Sequence, residues 1–307
     1  MKRGQTNISC LLAVDKPQGM GSHDVVNRVR RISGERRVGH CGTLDPMATG
    51  LLLVAVGPAT RLSEYLIGHD KRYIARVSWG VATDTDDAEG TVVSRMPLPA
   101  AVDDPVFAQS LLDALLGDSM QVPPLYSAIK REGVKAYEAA RKGSGVELEP
   151  RPITVYRADL ITIGWLEGVP YWDVDFEVSK GTYIRALARD LGVAAGSVAH
   201  LSALRRCVAG SMSIDDAHSL QQLEEAADIR ELSCDPVAAL GLPCVEVDPE
   251  QLQAIQQGRR LRAPEGTPQG LVALICGAIL CSVHECQGDM LVPRTVIPGG
   301  VIRGGGA

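Results

Sequence analysis

The stretch Val38–Gly57, VGHCGTLDPMATGLLLVAVG, constrains this chain more than any other. Its second half, Leu51–Val56, is a short unbroken apolar run, the pattern of a strand buried on both faces. Its first half is polar and carries Gly39 and Gly42, which accept backbone angles that other residues resist. Between the glycines and the strand stands a single carboxylate, Asp45, followed by Pro46. Proline fixes its own φ and biases the preceding residue toward extended geometry. Asp45 is therefore expected on a stiff loop at the edge of a rigid sheet, a placement suited to a catalytic group. The competing reading is an ordinary Asp-Pro turn.

The 307 residues suffice for a large domain and a smaller one. A hydrophobic content of 45% argues against disorder, and an aromatic content of 4% predicts a mainly aliphatic core. The apolar runs Leu11–Val14 and Gly270–Val283 are too short for an export signal or a bilayer span. The expected location is the cytoplasm, with no membrane attachment. Cys276, Cys281, His284 and Cys286 cluster, but their spacing is not that of paired zinc knuckles, and no metal site is assigned. The loop ATDTDDAEG fails the calcium pattern, with Ala88 at a ligand position.

A formal charge of −6 argues against a nucleic-acid partner, but its distribution does not. Arg28, Arg30, Arg31, Arg36 and Arg37 precede the central loop, and Arg259, Arg260 and Arg262 cluster near the end. Acids concentrate elsewhere, with eight between Glu224 and Glu250 against one base, Arg230. One face can bind a polyanion, although any single cluster taken alone reads better as solvated surface.

Periodicity predicts a strand at Leu11–Val14, then a helix over Val25–Ile32 capped within Ser22–Asp24. Further elements are a short helix over Ala59–Ile67, a strand at Tyr73–Trp79 and a helix over Asp103–Leu116. A Pro-containing loop, Gln121–Lys130, leads to a hairpin-like turn at Lys130–Gly133 and a short helix over Ala136–Lys142. Ile153–Val155, Leu160–Ile163 and Tyr171–Val178 read as separate strands of one antiparallel sheet. A helix over Ala186–Leu191 is expected to stop at a Gly192 cap. The texture changes near 240–245, beyond which short strands alternate with glycine turns, and GGVIRGGGA is expected to fray. Tyr183 and Arg185 lie two apart at a strand-to-helix junction, and an arginine facing a cleft carboxylate keeps it ionised.

GHCGTLDPMATGLLLVAVG, DKRYIARVSWG with TDTDDAEG, PPLYSAIKREG, RPITVYR, SKGTYIRALARDLG and HLSALRR occur in this order. Together with DKPQGMGSHDVV, this set resembles the bacterial tRNA pseudouridine synthase B family, TruB. The resemblance is dense from Leu11 to Ser213 and looser beyond, where the chain is similar to a PUA domain. It implies an α+β pseudouridine synthase fold. A central mixed or antiparallel sheet is flanked by helices over residues 1–240, and a small β-rich PUA-like domain follows over 245–303. It implies an isomerase that turns uridine-55 of the tRNA T-loop into pseudouridine with no cofactor and no metal. The implied partner is tRNA, with the T-arm at the catalytic domain, the acceptor end at the C-terminal domain, and the enzyme a monomer.

The resemblance also assigns residues. Asp45 matches the catalytic aspartate, which can attack the ribose carbon, attack the uracil ring or remove a ribose proton. Arg185 matches the arginine that pairs with it. Tyr73 matches the tyrosine that stacks on the target base and serves as general base for the C5 proton. Tyr183 and Leu204 match positions lining the base pocket. His40 matches the histidine that fills the space left when the base flips out. Lys16 and Pro17 match a supporting motif beneath the site, and the Asp84–Asp87 acids are orienting groups. Cys41 departs from the usual threonine and offers a weaker hydrogen-bonding group. An RNA-binding protein that folds tRNA without catalysis is the alternative, and a plain structural protein is a second.

Overall fold

The computed structural model describes residues 6–126, 130–131, 134–135 and 148–304. The chain divides into two compact units, one of residues 1–69 with 208–307 and one of residues 70–207. Both mix helices and strands, so the class is α+β, as expected.

The first unit opens with β1 (Cys10–Lys16), α1 (Ser22–Ser33), β2 (Val38–His40), β3 (Thr49–Val56) and α2 (Ser63–Ile67). β3 pairs antiparallel with β1 along seven residues and with β2 along three. Seven of its eight residues are buried, which is why its sequence is apolar without alternation. Ser22 is not the cap of α1, because Asp24 accepts the Gly21 amide at 2.9 Å and leaves the serine hydroxyl for another task.

The second unit holds β4 (Lys71–Trp79), β5 (Val81–Thr83), β6 (Val92–Arg95), α3 (Pro105–Asp113) and β7 (Gly117–Gln121). The short strands β8 (Lys130–Arg131) and β9 (Val134–Lys135) pair antiparallel, in keeping with the expected hairpin turn. The helix expected over 136–142 lies outside the described residues. β10 (Arg151–Leu166), β11 (Val169–Val178), α4 (Ile184–Ala194) and β12 (Ala199–Ala209) complete the unit, with the last two residues of β12 lying past its limit at Cys207. The strand order is β12, β4, β11, β10, β7.

Two expectations are corrected here. The segments at 153–155 and 160–163 are one strand, β10, bent by register shifts at Val155/Arg157 and Leu160/Thr162. α4 runs through Gly192 rather than stopping there. A Cβ at Gly192 would stand 2.4 Å from the Ala199 amide nitrogen, so the glycine serves close approach, not capping. The core is mainly aliphatic in both units, as expected, and the second adds an aromatic cluster. In the second, Trp79 and Trp172 pack with ring centroids 4.3 Å apart beside Phe107, and the Trp172 indole donates to the Val102 carbonyl at 2.8 Å.

The first unit resumes with β13 (Met212–Ser213), α5 (Leu220–Glu225), β14 (Ser233–Cys234) and α6 (Pro236–Leu240). It ends with β15 (Cys244–Glu246), α7 (Pro249–Gln256), β16 (Leu261–Arg262), β17 (Gly270–Cys276), β18 (Ile279–Gln287) and β19 (Met290–Ile302). The last five strands form a sheet ordered β15, β17, β18, β19, β16, which begins where the sequence texture changes. Its core is continuous with the N-terminal one, since Leu280, Val283, Ile297 and Val301 share a cluster with Leu11, Leu51, Leu53 and Leu240. The expected fraying does not extend through this tail. Val301 is fully buried, the Ile302 amide donates to the Ser9 carbonyl at 3.2 Å, and Arg303 pairs with Asp235 at 2.8 Å. Among the described residues, no helix is long and apolar enough to cross a membrane.

His284 on β18 is fully buried beside the Ser282 hydroxyl, 3.1 Å away. Burial pushes its pKa from 6.5 down to about 4. The unfolded chain takes up a proton near 6.5 that the folded chain refuses, so folding stability is complete above that pH and drains as pH falls toward 4. The thermal midpoint should therefore drop across that window, and His284→Gln should flatten the drop. A midpoint with the same slope in both proteins would contradict this.

Candidate active site

In the first unit, β2 hands over to the loop that carries Asp45. The Cys41 amide still donates to the Leu53 carbonyl at 2.8 Å, continuing the β2–β3 pairing by one residue. The Cys41 thiol is buried and donates weakly to the Ser63 hydroxyl at 3.6 Å. The sulfur thus lies inside an apolar cluster, where a thiol is well accommodated. The Ser22 hydroxyl, released from capping, donates to the Leu44 carbonyl at 2.9 Å and accepts the Leu44 amide at 2.8 Å. The Ala48 amide donates to the Asp45 carbonyl at 3.1 Å, closing a turn with Pro46 at its second position. Leu44, Met47 and Ala48 are buried, while Asp45 is half-buried and Pro46 exposed. The turn is pinned on both sides of the carboxylate.

Lys16 supplies the third pin. Its side chain is fully buried, and its ammonium donates to the carbonyls of Pro17 at 2.9 Å, Met20 at 2.6 Å and Pro46 at 3.3 Å. The Gly19 amide donates to the same Pro46 carbonyl at 2.9 Å. A buried ammonium must be matched by acceptors, so the loop after β1 and the Asp-Pro turn are drawn onto one charge. Pro17 contributes through its backbone carbonyl and is itself exposed. His40, the last residue of β2, is half-buried and pairs with Val54 of β3.

In the second unit, Tyr73 lies on β4 opposite Phe176 and is 8% exposed. Leu204, on the adjacent strand β12, is equally buried. Lys71 shares the buried alternation of Tyr73 on β4. Burial, with Arg206 adding repulsion, pushes the Lys71 pKa down to about 8. Tyr183 is the N-cap of α4 and half-buried, and Arg185 follows in the first turn, 5% exposed. The strand-to-helix junction is as the sequence predicts.

Arg185 pairs with Asp87 at 3.3 Å and donates to the carbonyls of Thr85 at 2.9 Å and Tyr126 at 3.1 Å. Asp87 also accepts the Thr85 hydroxyl at 2.6 Å and the Glu89 amide at 3.0 Å. The acidic loop between β5 and β6 therefore orients the guanidinium. Sequence reasoning missed two supports. The Gln121 side chain accepts the Tyr183 amide at 2.9 Å and donates to the Tyr183 carbonyl at 3.1 Å, while Arg189 pairs with Asp86 at 3.1 Å. Gln121 carries no periodic signal, since its importance comes from an end-of-strand position facing a helix 62 residues away.

Residues 30–184 match the family model described as "TruB family pseudouridylate synthase (N terminal domain)", and residues 185–237 match the "tRNA pseudouridylate synthase B C-terminal domain". The chain belongs to the TruB family. It is 44% identical over 270 residues to "tRNA pseudouridine synthase B" of Arthrobacter sp. (strain FB24), covering 87% of each chain. It is 41% identical over 290 residues to the protein of the same name in Azoarcus sp. (strain BH72), covering 94% of each. Its fold is similar to that of the "Crystal Structure of a Cbf5-Nop10-Gar1 Complex", with a TM-score of 0.70 at 24% identity over 95% of this chain and 85% of that one. A "Structure of H/ACA RNP bound to a substrate RNA containing 2'-deoxyuridine" gives 0.69 at 22% identity over 95% and 85%. The fold is that of the pseudouridine synthases, and the family is one of tRNA-modifying isomerases.

Within that family, the architecture of the Asp45 turn makes Lys16 a sensitive position. Lys16→Met keeps the volume but leaves the Pro17, Met20 and Pro46 carbonyls without the ammonium. Stability should fall by about 2–4 kcal/mol, read as a lower denaturation midpoint. Turnover should fall further than the loss of folded protein explains. Wild-type stability and turnover would show that the ammonium does not hold the loop.

Proposed function

We infer that this chain isomerises uridine-55 in the T-loop of tRNA to pseudouridine, with Asp45 as its essential group. The observation that carries the reading is the pinned Asp-Pro turn, which presents one half-buried carboxylate from a buried framework in a chain of this family. A carboxylate so fixed needs no reorganisation to meet an everted nucleotide. The C1′–N1 bond breaks, the uracil rotates while bound, and C5 joins C1′. The C5 proton leaves and N1 gains one, so the reaction balances without cofactor or metal.

Each remaining residue has a part. Arg185 keeps the Asp45 carboxylate ionised and oriented. Tyr73 stacks on the base and takes the C5 proton. Tyr183 and Leu204 wall the base pocket, and His40 fills the gap left in the RNA. Flipping the base costs a few kcal/mol, which backbone contacts must supply. The protein acts as a cytoplasmic monomer. Residues 1–240 form the catalytic domain, and the sheet within 245–303 is the PUA-like domain that takes the acceptor end.

Asp45→Asn should abolish pseudouridine formation in an unmodified tRNA transcript while leaving tRNA affinity within about twofold. Normal turnover by the variant would sink the mechanism, and loss of binding alone would favour the folding protein without catalysis.

Arg259 and Arg260 are exposed, and Arg262 is exposed with Asp289 no closer than 3.9 Å. Reversing Arg259 and Arg260 to Glu should raise KM about tenfold with little change in turnover, and should flatten the decline of affinity with salt. An unchanged KM would remove the acceptor end from this surface.

A further inference from the structure

α4 carries two arginines four residues apart, so Arg185 and Arg189 project from one face a turn apart. Each bridges the same two segments. Arg185 reaches Asp87 and Thr85 in the acidic loop and the Tyr126 carbonyl beyond β7. Arg189 reaches Asp86 in that loop at 3.1 Å and the Val122 carbonyl at 2.9 Å. The second bridge touches none of the residues assigned to the nucleotide.

Asp86 has a φ of +60°, one of two positive values among the described non-glycine residues. Left-handed backbone costs an L-residue energy and persists only where its surroundings enforce it. The neighbouring backbone is tied to β12, with the Leu201 amide donating to the Asp86 carbonyl at 3.0 Å and the Ala88 amide to the Leu201 carbonyl at 3.0 Å. The first of these takes up the Asp86 carbonyl itself, and the Asp86 amide donates to the Thr83 carbonyl at 3.3 Å, so backbone bonds share in holding the turn. The Asp86 side chain is held by the Arg189 ion pair. The next residue in the chain is Asp87, whose carboxylate meets Arg185. A relaxed φ at Asp86 would redirect the chain at Asp87 and carry its carboxylate off the guanidinium.

We propose that Arg189 is a positioning residue for the isomerisation: its ion pair holds Asp86 left-handed and so keeps Asp87 on Arg185. This deepens the reading of Arg185 given above and rests on it. A glycine would accept the same φ at no steric cost, whereas an aspartate accepts it at a cost that an engaged carboxylate helps to offset.

The test uses the full-length enzyme and an unmodified tRNA transcript. It measures single-turnover pseudouridine formation, tRNA affinity and thermal midpoint. Arg189→Met should slow the reaction about ten- to hundredfold with affinity unchanged. Adding Asp86→Gly should recover most of that loss, although it restores no ion pair. Mere relief of an unpaired carboxylate would rescue Arg189→Met equally well with Asp86→Ala, whereas release of the left-handed backbone requires Asp86→Gly. In the background that retains Arg189, Asp86→Ala should be slower than Asp86→Gly, which keeps the question open to test even if Arg189→Met folds poorly. Wild-type rates in Arg189→Met, no recovery in the double variant, or equal rates for the Ala and Gly variants would each overturn the proposal. Asp45→Asn and Arg185→Lys run in parallel. Turnover in both would mean the site reading itself has failed, whereas their inactivity beside a normal Arg189→Met would fail the positioning role alone.

Discussion

A lysine ammonium with no exposure to water is the constraint on which the Asp45 loop depends. Removing such a charge from water is costly unless acceptors surround it, and Lys16 finds carbonyls from both sides of the loop it stabilises. The energetics run in both directions. The carbonyls of Pro17, Met20 and Pro46 turn inward because the charge is there, and the charge is tolerated because they do. The Ser22 hydroxyl applies the same logic one residue from Asp45, serving the amide and carbonyl of Leu44 together. Between these pins the Asp-Pro turn has little freedom left, and β3 behind it is too deeply buried to move.

The second unit solves its own positioning problem with ions. Arg185 and Asp87 are both nearly inaccessible, a condition under which an unpaired partner would be strongly destabilising. Such a pair is weak evidence for stability but good evidence for a fixed arrangement. Burial raises the Asp86 carboxyl pKa, and the nearby guanidinium of Arg189 opposes that rise. Gln121 adds a neutral clamp at the helix start, matching donor and acceptor to the two backbone groups of Tyr183. Charge, turn and helix end are set by one group of neighbours in the acidic loop and the segment after β7.

The C-terminal sheet shows how composition and packing can divide a chain differently. The texture change near 240–245 coincides with the start of β15. The apolar cluster nevertheless passes from β1 and β3 through α6 into β17, β18 and β19. The glycine-rich end, which composition marks as loose, is drawn into the fold by a backbone bond to Ser9 and an ion pair to Asp235.

Much of this was legible from residue order alone. The apolar run of β3, the alternation of β4, the Asp-Pro turn and the Tyr183–Arg185 junction follow from local rules that need only neighbouring residues. So does the family, since its motifs are contiguous. Distant partners were not legible. Nothing near Gly192 announces that Ala199 will pass 2.4 Å from its missing side chain, and nothing near Arg185 or Arg189 selects Asp87 and Asp86. The sequence determined the family and the local turns on which the candidate side chains stand. The tertiary structure decided which buried carbonyls, hydroxyls and carboxylates hold those turns still, because such matches are made only when segments far apart in the chain leave water together.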